Sequence, residues 1–271
     1  MSTQTGRDRV FLLGVRGSLP VSGAAFRKYG CATTCIYVRL GGRSAVLDGG
    51  TGLLSLPEEA LAEPALPLLL THPHADHLLG LPLCPYAMRQ GGRLDIYAAP
   101  RGGLDAEALF RRIMSPPLWP VGPEALPARI AFHGLPATLD LDGISVRAME
   151  GVHPGGVSVL SLSGGGRRVV LLTDCTLTPA LRPKLLDFAG DCDLLLIDGQ
   201  YSDGEWSARS SFGHNTWTQA ARFGAECGAK QVRIIHHDPF RTDCALDKAA
   251  EELLQSCPRG AFGREGEVIG L

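Results

Sequence analysis

The sequence predicts an α/β (α+β) chain in which two β-sheets pack face to face with helices on their outer surfaces. Three observations carry this. Short apolar runs bounded by glycine or proline recur along the whole chain, at residues 10–15, 35–40, 43–47, 68–71, 94–98, 144–148, 158–162, 168–173, 193–197 and 231–235. Their length and punctuation are those of strands. The strands come first in pairs, and helical spacing is interspersed in each half, which favours a sandwich over a doubly wound sheet. At 45% hydrophobic and 20% charged residues, the 271-residue chain can bury a large core and is not of disordered composition.

Four helices are expected. Leu109, Phe110 and Ile113 make one apolar face, and Leu181, Leu185 and Leu186 a second. Trp217, Ala220, Ala221 and Gly224 suit a close-packed helix after Asn215. Residues 246–254 form the fourth, with Thr242 or Asp243 as its cap. No linker interrupts the pattern, so residues 1–271 are expected to form one domain. The one break is residues 115–127, where Pro116, Pro117, Pro120, Pro123 and Pro127 surround Trp119. So many prolines exclude regular structure. The stretch is either a structural loop or a flap over a site, from which Arg111, Arg112 and Trp119 could reach a substrate.

Charge and cysteine usage narrow the function. A net charge of −2 supplies no general field for a nucleic-acid backbone. The start, Met1 to Arg9, is polar, and no apolar run reaches the ~18 residues that span a bilayer. Eight scattered cysteines read as reduced thiols. Cys31 and Cys35 are read as small side chains at a strand start ahead of a metal or redox pair. A cytoplasmic protein with no membrane partner is the expectation.

The strongest chemical signal is Thr71-His72-Pro73-His74-Ala75-Asp76-His77, which follows the apolar run Leu68-Leu69-Leu70. Alternation puts His72 and His74 on one side of an extended segment. Asp76 and His77 then turn toward a second position. Imidazole and carboxylate are ligands for zinc, or for manganese or iron. So many costly polar groups beside a buried strand point to ligation rather than chance. Further ligands must come from elsewhere. His153 lies in a tight turn, Asp174 follows Val169-Val170-Leu171-Leu172-Thr173, and His236 follows Val232-Arg233-Ile234-Ile235. Each sits where a strand empties into a loop, the place where sheet-based sites gather their residues.

This series resembles the ligand set of the metallo-β-lactamase superfamily. Asp48, in Val46-Leu47-Asp48-Gly49-Gly50-Thr51-Gly52, resembles that family's first motif, a carboxylate supporting the site. The resemblance implies a four-layer αββα sandwich of two related halves and two divalent metal ions, zinc first, with manganese or iron the alternatives. One ion would take His72, His74, His153 and Asp174. The other would take Asp76, His77, Asp174 and His236, with Asp174 bridging. His237 adjoins His236, and the family's strand-end motif favours His236 as the last ligand. His133 matches nothing in the series and is read as a satisfied histidine.

His214, in Ser211-Phe212-Gly213-His214-Asn215-Thr216-Trp217, resembles the histidine motif of the phosphodiesterase-like, RNase Z-related branch, with Asp198 as its orienting acid. Asp76, His214 and Asp198 are therefore the residues expected to take part in the chemistry, and the helix start after Asn215 is expected to offer donors to an anion. The chain departs from the branch at Ala32, where an asparagine is usual, and at Asn215, where a serine is usual. His153 and Asp174 are close in sequence, which leaves no room for the long substrate-grasping arm of transfer-RNA processing members. The expected substrate is a small phosphodiester or cyclic nucleotide. A lactone, thioester or β-lactam is the alternative, and iron redox chemistry a distant third. The resemblance admits a homodimer.

Overall fold

The computed structural model describes residues 8–271. Of the polar N-terminal stretch read above, residues 1–7 lie outside that range. Fourteen strands run β1 Arg9–Gly14, β2 Cys35–Leu40, β3 Arg43–Leu47, β4 Ala65–Leu70, β5 Arg93–Ala98, β6 Arg129–Gly134, β7 Thr138–Asp140, β8 Ser145–Gly151, β9 Val157–Gly164, β10 Arg167–Leu172, β11 Leu194–Asp198, β12 Gln231–Ile235, β13 Gly260–Phe262 and β14 Glu267–Gly270. Six helices are α1 Glu58–Leu61, α2 Ala106–Ile113, α3 Arg182–Ala189, α4 Trp206–Arg209, α5 Trp217–Glu226 and α6 Asp243–Ser256.

Two seven-stranded sheets result, ordered β14-β1-β2-β3-β4-β5-β6 and β13-β12-β11-β10-β9-β8-β7. Each is mixed in the same way. In the first, β1, β2 and β3 are antiparallel and β3 to β6 parallel. In the second, β7 to β10 are antiparallel and β10 to β13 parallel. The chain reads as two related halves, with the C-terminal β14 returning to the first sheet beside β1.

Strand periodicity explains the layering. Successive side chains leave a strand on opposite faces. Leu47, Leu69, Val169, Leu171, Leu194 and Leu196 therefore enter one core between the sheets. Their neighbours turn outward: Val46 and Leu68 join the core under α1 and α2, and Val170, Leu172, Leu195 and Ile197 the core under α3, α5 and α6. Strands buried on both faces read as unbroken apolar runs, which is why they stood out in the sequence. The result is the αββα sandwich.

Residues 115–127 are a structural loop. Trp119 packs against the outer core of the first sheet and Leu126 is buried there. Trp119 is thus committed to packing, not to a substrate. Arg111 is committed as well, donating to Glu107 and to Glu124, while Arg112 is exposed. All eight cysteines are free thiols, Cys31 and Cys35 among them.

Candidate metal centre and its surroundings

The histidine-rich loop leaves β4 and takes the shape its spacing implied. His72 and His74 come together with ring centroids 4.5 Å apart, and a single turn over Ala75–His77 swings Asp76 and His77 round. The other residues arrive from distant strand ends. His153 closes a turn in which its carbonyl accepts from the Gly156 N–H. Asp174 follows β10, Asp198 ends β11 and His236 follows β12.

The structure brings all seven predicted ligand residues together. Nε2 of His236 lies 3.1 Å from Asp76 Oδ2 and 3.1 Å from Asp174 Oδ1. Nε2 of His77 is 3.3 Å from Asp76 Oδ2 and 3.2 Å from Asp174 Oδ2. Nε2 of His153 faces His74 Nδ1 at 3.1 Å and Asp174 Oδ1 at 3.9 Å. One group is therefore His72, His74 and His153; another is Asp76, His77 and His236; Asp174 touches both. His72, Asp76, His77, Asp174 and His236 are buried, while His74 is exposed and marks the open side.

Outer hydrogen bonds aim these rings. His77 Nδ1–H donates to Asp48 Oδ2 at 2.8 Å, and Asp48 Oδ1 accepts from the Thr71 N–H. Thr71 Oγ1 meets His72 Nδ1 at 3.0 Å, and His153 Nδ1–H donates to the Gly213 carbonyl at 3.1 Å. Fixing Nδ1 from outside sets the tautomer and leaves Nε2 as an inward lone pair. Nε2 of His72 and of His77 is then buried with no hydrogen-bond partner, and two ring nitrogens, of His74 and His153, face one another. Orphaned acceptors beside converging carboxylates are costly unless a cation sits among them. The donor set, imidazole nitrogen and carboxylate oxygen, fits divalent metal ions.

The backbone is held as firmly. Asp48, Asp174 and His236 have φ of 61°, 51° and 62°, and Ser18 has φ 64°. Left-handed conformations are uncommon outside glycine and gather at functional sites. Each of the three site residues follows a strand, and the reversed φ turns its side chain back across the strand ends. Ser18, which sequence reasoning missed, donates its N–H to Asp76 Oδ2 at 2.7 Å. Gly17 before it has no freedom to be anything else, since a Cβ there would lie 2.2 Å from His236 Nδ1. Nothing local in the sequence marks a backbone N–H as a site contact.

Charges follow from this crowding. Burial lowers the pKa of His72, His74 and His153, which keeps them neutral. Burial also opposes charge on His236, but Asp174, Asp76 and Asp198 outweigh it and push it up to about 9. His77 is raised in the same way by Asp48, Asp76 and Asp174.

His237 is placed elsewhere. Its Nε2–H donates to the Gly263 carbonyl at 2.8 Å, and its ring stands edge-on to Tyr29 and Phe262. Burial foremost pulls its pKa down to about 3. The unfolded chain then binds a proton that the folded one refuses, so stability falls as pH drops from about 6.5 toward 3. His237→Gln keeps a donor for Gly263 and is expected to flatten that loss by roughly 3 kcal/mol at pH 4.5. Urea unfolding at pH 7 and pH 4.5 measures it; equal acid losses in both proteins would contradict the assignment. His133 is satisfied, with Nε2 2.9 Å from Asp95 Oδ1 and its ring stacked on Tyr97.

His214 stands over the group. Its Nδ1–H donates to Asp198 Oδ2 at 2.6 Å, and its ring stacks on His236 at 4.9 Å. With Nδ1 committed, Nε2 is the nitrogen left for a substrate oxygen. Asn215 is structural, its side chain donating to the Cys175 carbonyl and accepting from the Leu177 N–H. The expected anion-binding helix start is corrected. Thr216 caps α5 in a capping box with Gln219, and the Trp217 N–H donates to the Tyr201 carbonyl. These donors are already used.

Residues 46–237 match the sequence model of the β-lactamase superfamily domain. The chain belongs to that superfamily. It is a hydrolase of the metallo-β-lactamase fold, with a His/Asp cluster able to bind metal. A relative, ribonuclease Z of Thermoplasma volcanium, is 26% identical over 235 residues, covering 70% of this chain and 76% of that protein. The structure of the metallo-β-lactamase fold protein YhfI from Bacillus subtilis superposes with a TM-score of 0.72 at 18% identity, covering 98% of this chain and 100% of the other. A diphosphatase of the PhnP family gives a TM-score of 0.71 at 16% identity, covering 98% of each. The RNase Z-related branch expected from the sequence is the one the ribonuclease Z relative names. Among the described residues no helix is long and apolar enough to cross a membrane.

Proposed function

We propose that this superfamily member is a dinuclear phosphodiesterase acting on a small phosphodiester, and that His72, His74, His153 and Asp174 hold one divalent ion while Asp76, His77, Asp174 and His236 hold the other. Zinc suits the donor set best. Ions bound there lower the pKa of water toward neutrality and absorb charge on a phosphoryl oxygen. Because His77 and His236 carry raised pKa values, ion binding displaces protons and strengthens as pH rises.

The observation that carries the phosphodiester reading is the His214–Asp198 pair. Asp198 accepts from Nδ1–H of His214 and leaves Nε2 facing the group; when the ring carries its second proton, Nε2–H can contact a phosphate oxygen and pass that proton to the departing oxygen, Nδ1–H staying on Asp198. Asp76 holds its place between His77, His236 and the Ser18 N–H, where its carboxylate can orient the attacking water. A thioester, whose thiolate leaves unprotonated, needs no such proton donor.

RNA is the second reading, favoured by the names of the ribonuclease Z relatives. Against it, β9 and β10 join His153 to Asp174 through the two-residue turn Gly165-Gly166, a tight hairpin with no inserted arm. The test is elemental analysis of the purified protein followed by turnover of bis(p-nitrophenyl) phosphate, nitrocefin, a thioester and a transfer-RNA precursor. His214→Ala is expected to lower kcat about 10²–10⁴-fold for a dialkyl phosphodiester, whose alkoxide must leave protonated, and less for the p-nitrophenyl ester, with metal content retained. Undiminished turnover of the dialkyl ester in that variant, or preferential cleavage of the precursor RNA by the parent protein, overturns the reading.

A further inference from the structure

Two phenyl rings stand in solvent beside the candidate site: Phe212 is 53% exposed and Phe240 86%. Neither hangs on a loose strand of chain. Phe212 ends the turn Ser210–Phe212 and precedes Gly213, whose carbonyl accepts from His153, and then His214 itself. Gly213 has φ 96°, and a Cβ there would lie 2.2 Å from His153 Nδ1, so the loop presses directly on the ligand group. Phe240 follows His236 closely in the chain. Its N–H donates to Asp238 Oδ1 at 2.8 Å, while Asp238 Oδ2 accepts from Arg209 Nη1 at 2.9 Å. One buried carboxylate therefore ties together the two loops that carry the rings.

The link back to the chemistry is continuous. Arg209 lies over the Tyr201 ring at 4.9 Å, and that ring meets His214 edge-on at 5.7 Å. Single exposed apolar side chains are common and need no purpose. Here Asp238 holds the backbone of Phe240 and the side chain of Arg209, three residues before Phe212, so the two loops that carry the rings are joined one contact from His214. A phenyl face makes no hydrogen-bond demand and accepts any planar ring.

We propose that Phe212 and Phe240 form the subsite for the base of a nucleoside phosphodiester; this rests on the phosphodiesterase reading above. Bases stack on protein aromatics with little sequence preference, and each ring contributes about ten-fold in affinity. The subsite thus selects for a nucleoside over a plain alkyl ester without choosing strongly among the bases.

The test compares thymidine 5′-(p-nitrophenyl) phosphate with methyl p-nitrophenyl phosphate, which share a leaving group. The metal-loaded parent protein is expected to prefer the thymidine ester at least ten-fold in kcat/KM. The double variant Phe212→Ala/Phe240→Ala is expected to lose most of that preference, and the loss to fall on KM. Phe212→Leu/Phe240→Leu, which keeps apolar bulk and removes the planar face, is expected to lose it too. Both rings lie outside the three cores, so metal content and melting temperature report directly that the variants are folded. No preference in the parent, or a preference that survives in either double variant, overturns the subsite while methyl-ester cleavage still upholds the phosphodiesterase. If neither ester is cleaved, the reading and the subsite fall together.

Discussion

Asp174→Asn is expected to abolish hydrolysis while leaving the fold standing. Asp174 is the carboxylate that touches both ligand groups, with Oδ1 3.1 Å from His236 Nε2 and Oδ2 3.2 Å from His77 Nε2. Its φ of 51° is one that asparagine adopts readily, so the substitution removes charge without forcing the backbone. Asp174→Ala would add strain of about 1–2 kcal/mol, and a lower melting temperature should separate the two variants. A neutral amide is a poor partner for the two cations proposed above, so the metal content should fall by at least half. On the proposed phosphodiesterase reading, kcat/KM should drop on the order of 10³-fold or more, because the ions that would activate water near neutral pH are held less well. The metal-free proteins give an independent readout. Against burial, Asp174 leads the charges that hold His236 up to about 9. A raised histidine pKa adds stability in full below about pH 6.5 and loses it as pH rises toward 9. The asparagine variant should therefore be weakened most at low pH. Full metal content and an undiminished rate in Asp174→Asn would remove Asp174 from the centre of the site.

The same geometry shows why so much of the site was legible and some was not. His72, His74, Asp76 and His77 form a local cluster whose spacing sets which way each side chain points, so one stretch of chain announces it. His153, Asp174 and His236 are ordinary residues taken alone. Only their place at strand ends, and the family pattern, made them candidates. Strands buried on both faces were equally plain, because Val169 to Leu172 or Leu194 to Ile197 admit no polar residue. The missed strands are the edge and terminal ones, β6, β7, β13 and β14, which are short or mixed in burial. Their pairing is decided by a neighbour already in place and not by their own pattern. The proline-rich loop was ambiguous for a related reason: prolines say that residues 115–127 are irregular, and only Leu126 in the core and Trp119 packed against it say which surface they cover. Backbone contacts leave no trace in side-chain identity. Ser18 N–H on Asp76 is one, and the reversed φ values are another.

Replacing Arg16 is expected to cost more stability than removing any exposed charge, and to loosen one half of the metal centre with it. Arg16 is completely buried. Its Nε donates to the Gly30 carbonyl at 2.7 Å, and Nη1 to the carbonyls of Arg241 at 2.7 Å and Asp238 at 3.2 Å. Its guanidinium also lies over the Phe26 ring at 5.2 Å. Burial alone lowers its pKa, against the nearby Asp243 and Asp238, so the charge is kept for the fork of donors it supplies. That fork joins the loop after β1 to the loop after His236, across the two halves of the sandwich. Hydrogen bonds from a charged donor are worth about 1.5–3 kcal/mol each, and stranded carbonyls add their own desolvation cost. Arg16→Met should then destabilise by about 3–6 kcal/mol. Arg16→Lys keeps a charge but not the planar fork and should recover only part of this. The link to the site runs through the next residues in the chain: Gly17 packs against His236 and the Ser18 N–H holds Asp76. Only the group of Asp76, His77 and His236 leans on that segment, whereas His72, His74 and His153 are held by Thr71 and Gly213. In the lysine variant, metal titration should show one weakened ion and one nearly unaffected ion. Equal weakening of both would mean that Arg16 acts on the fold at large and not through Gly17 and Ser18.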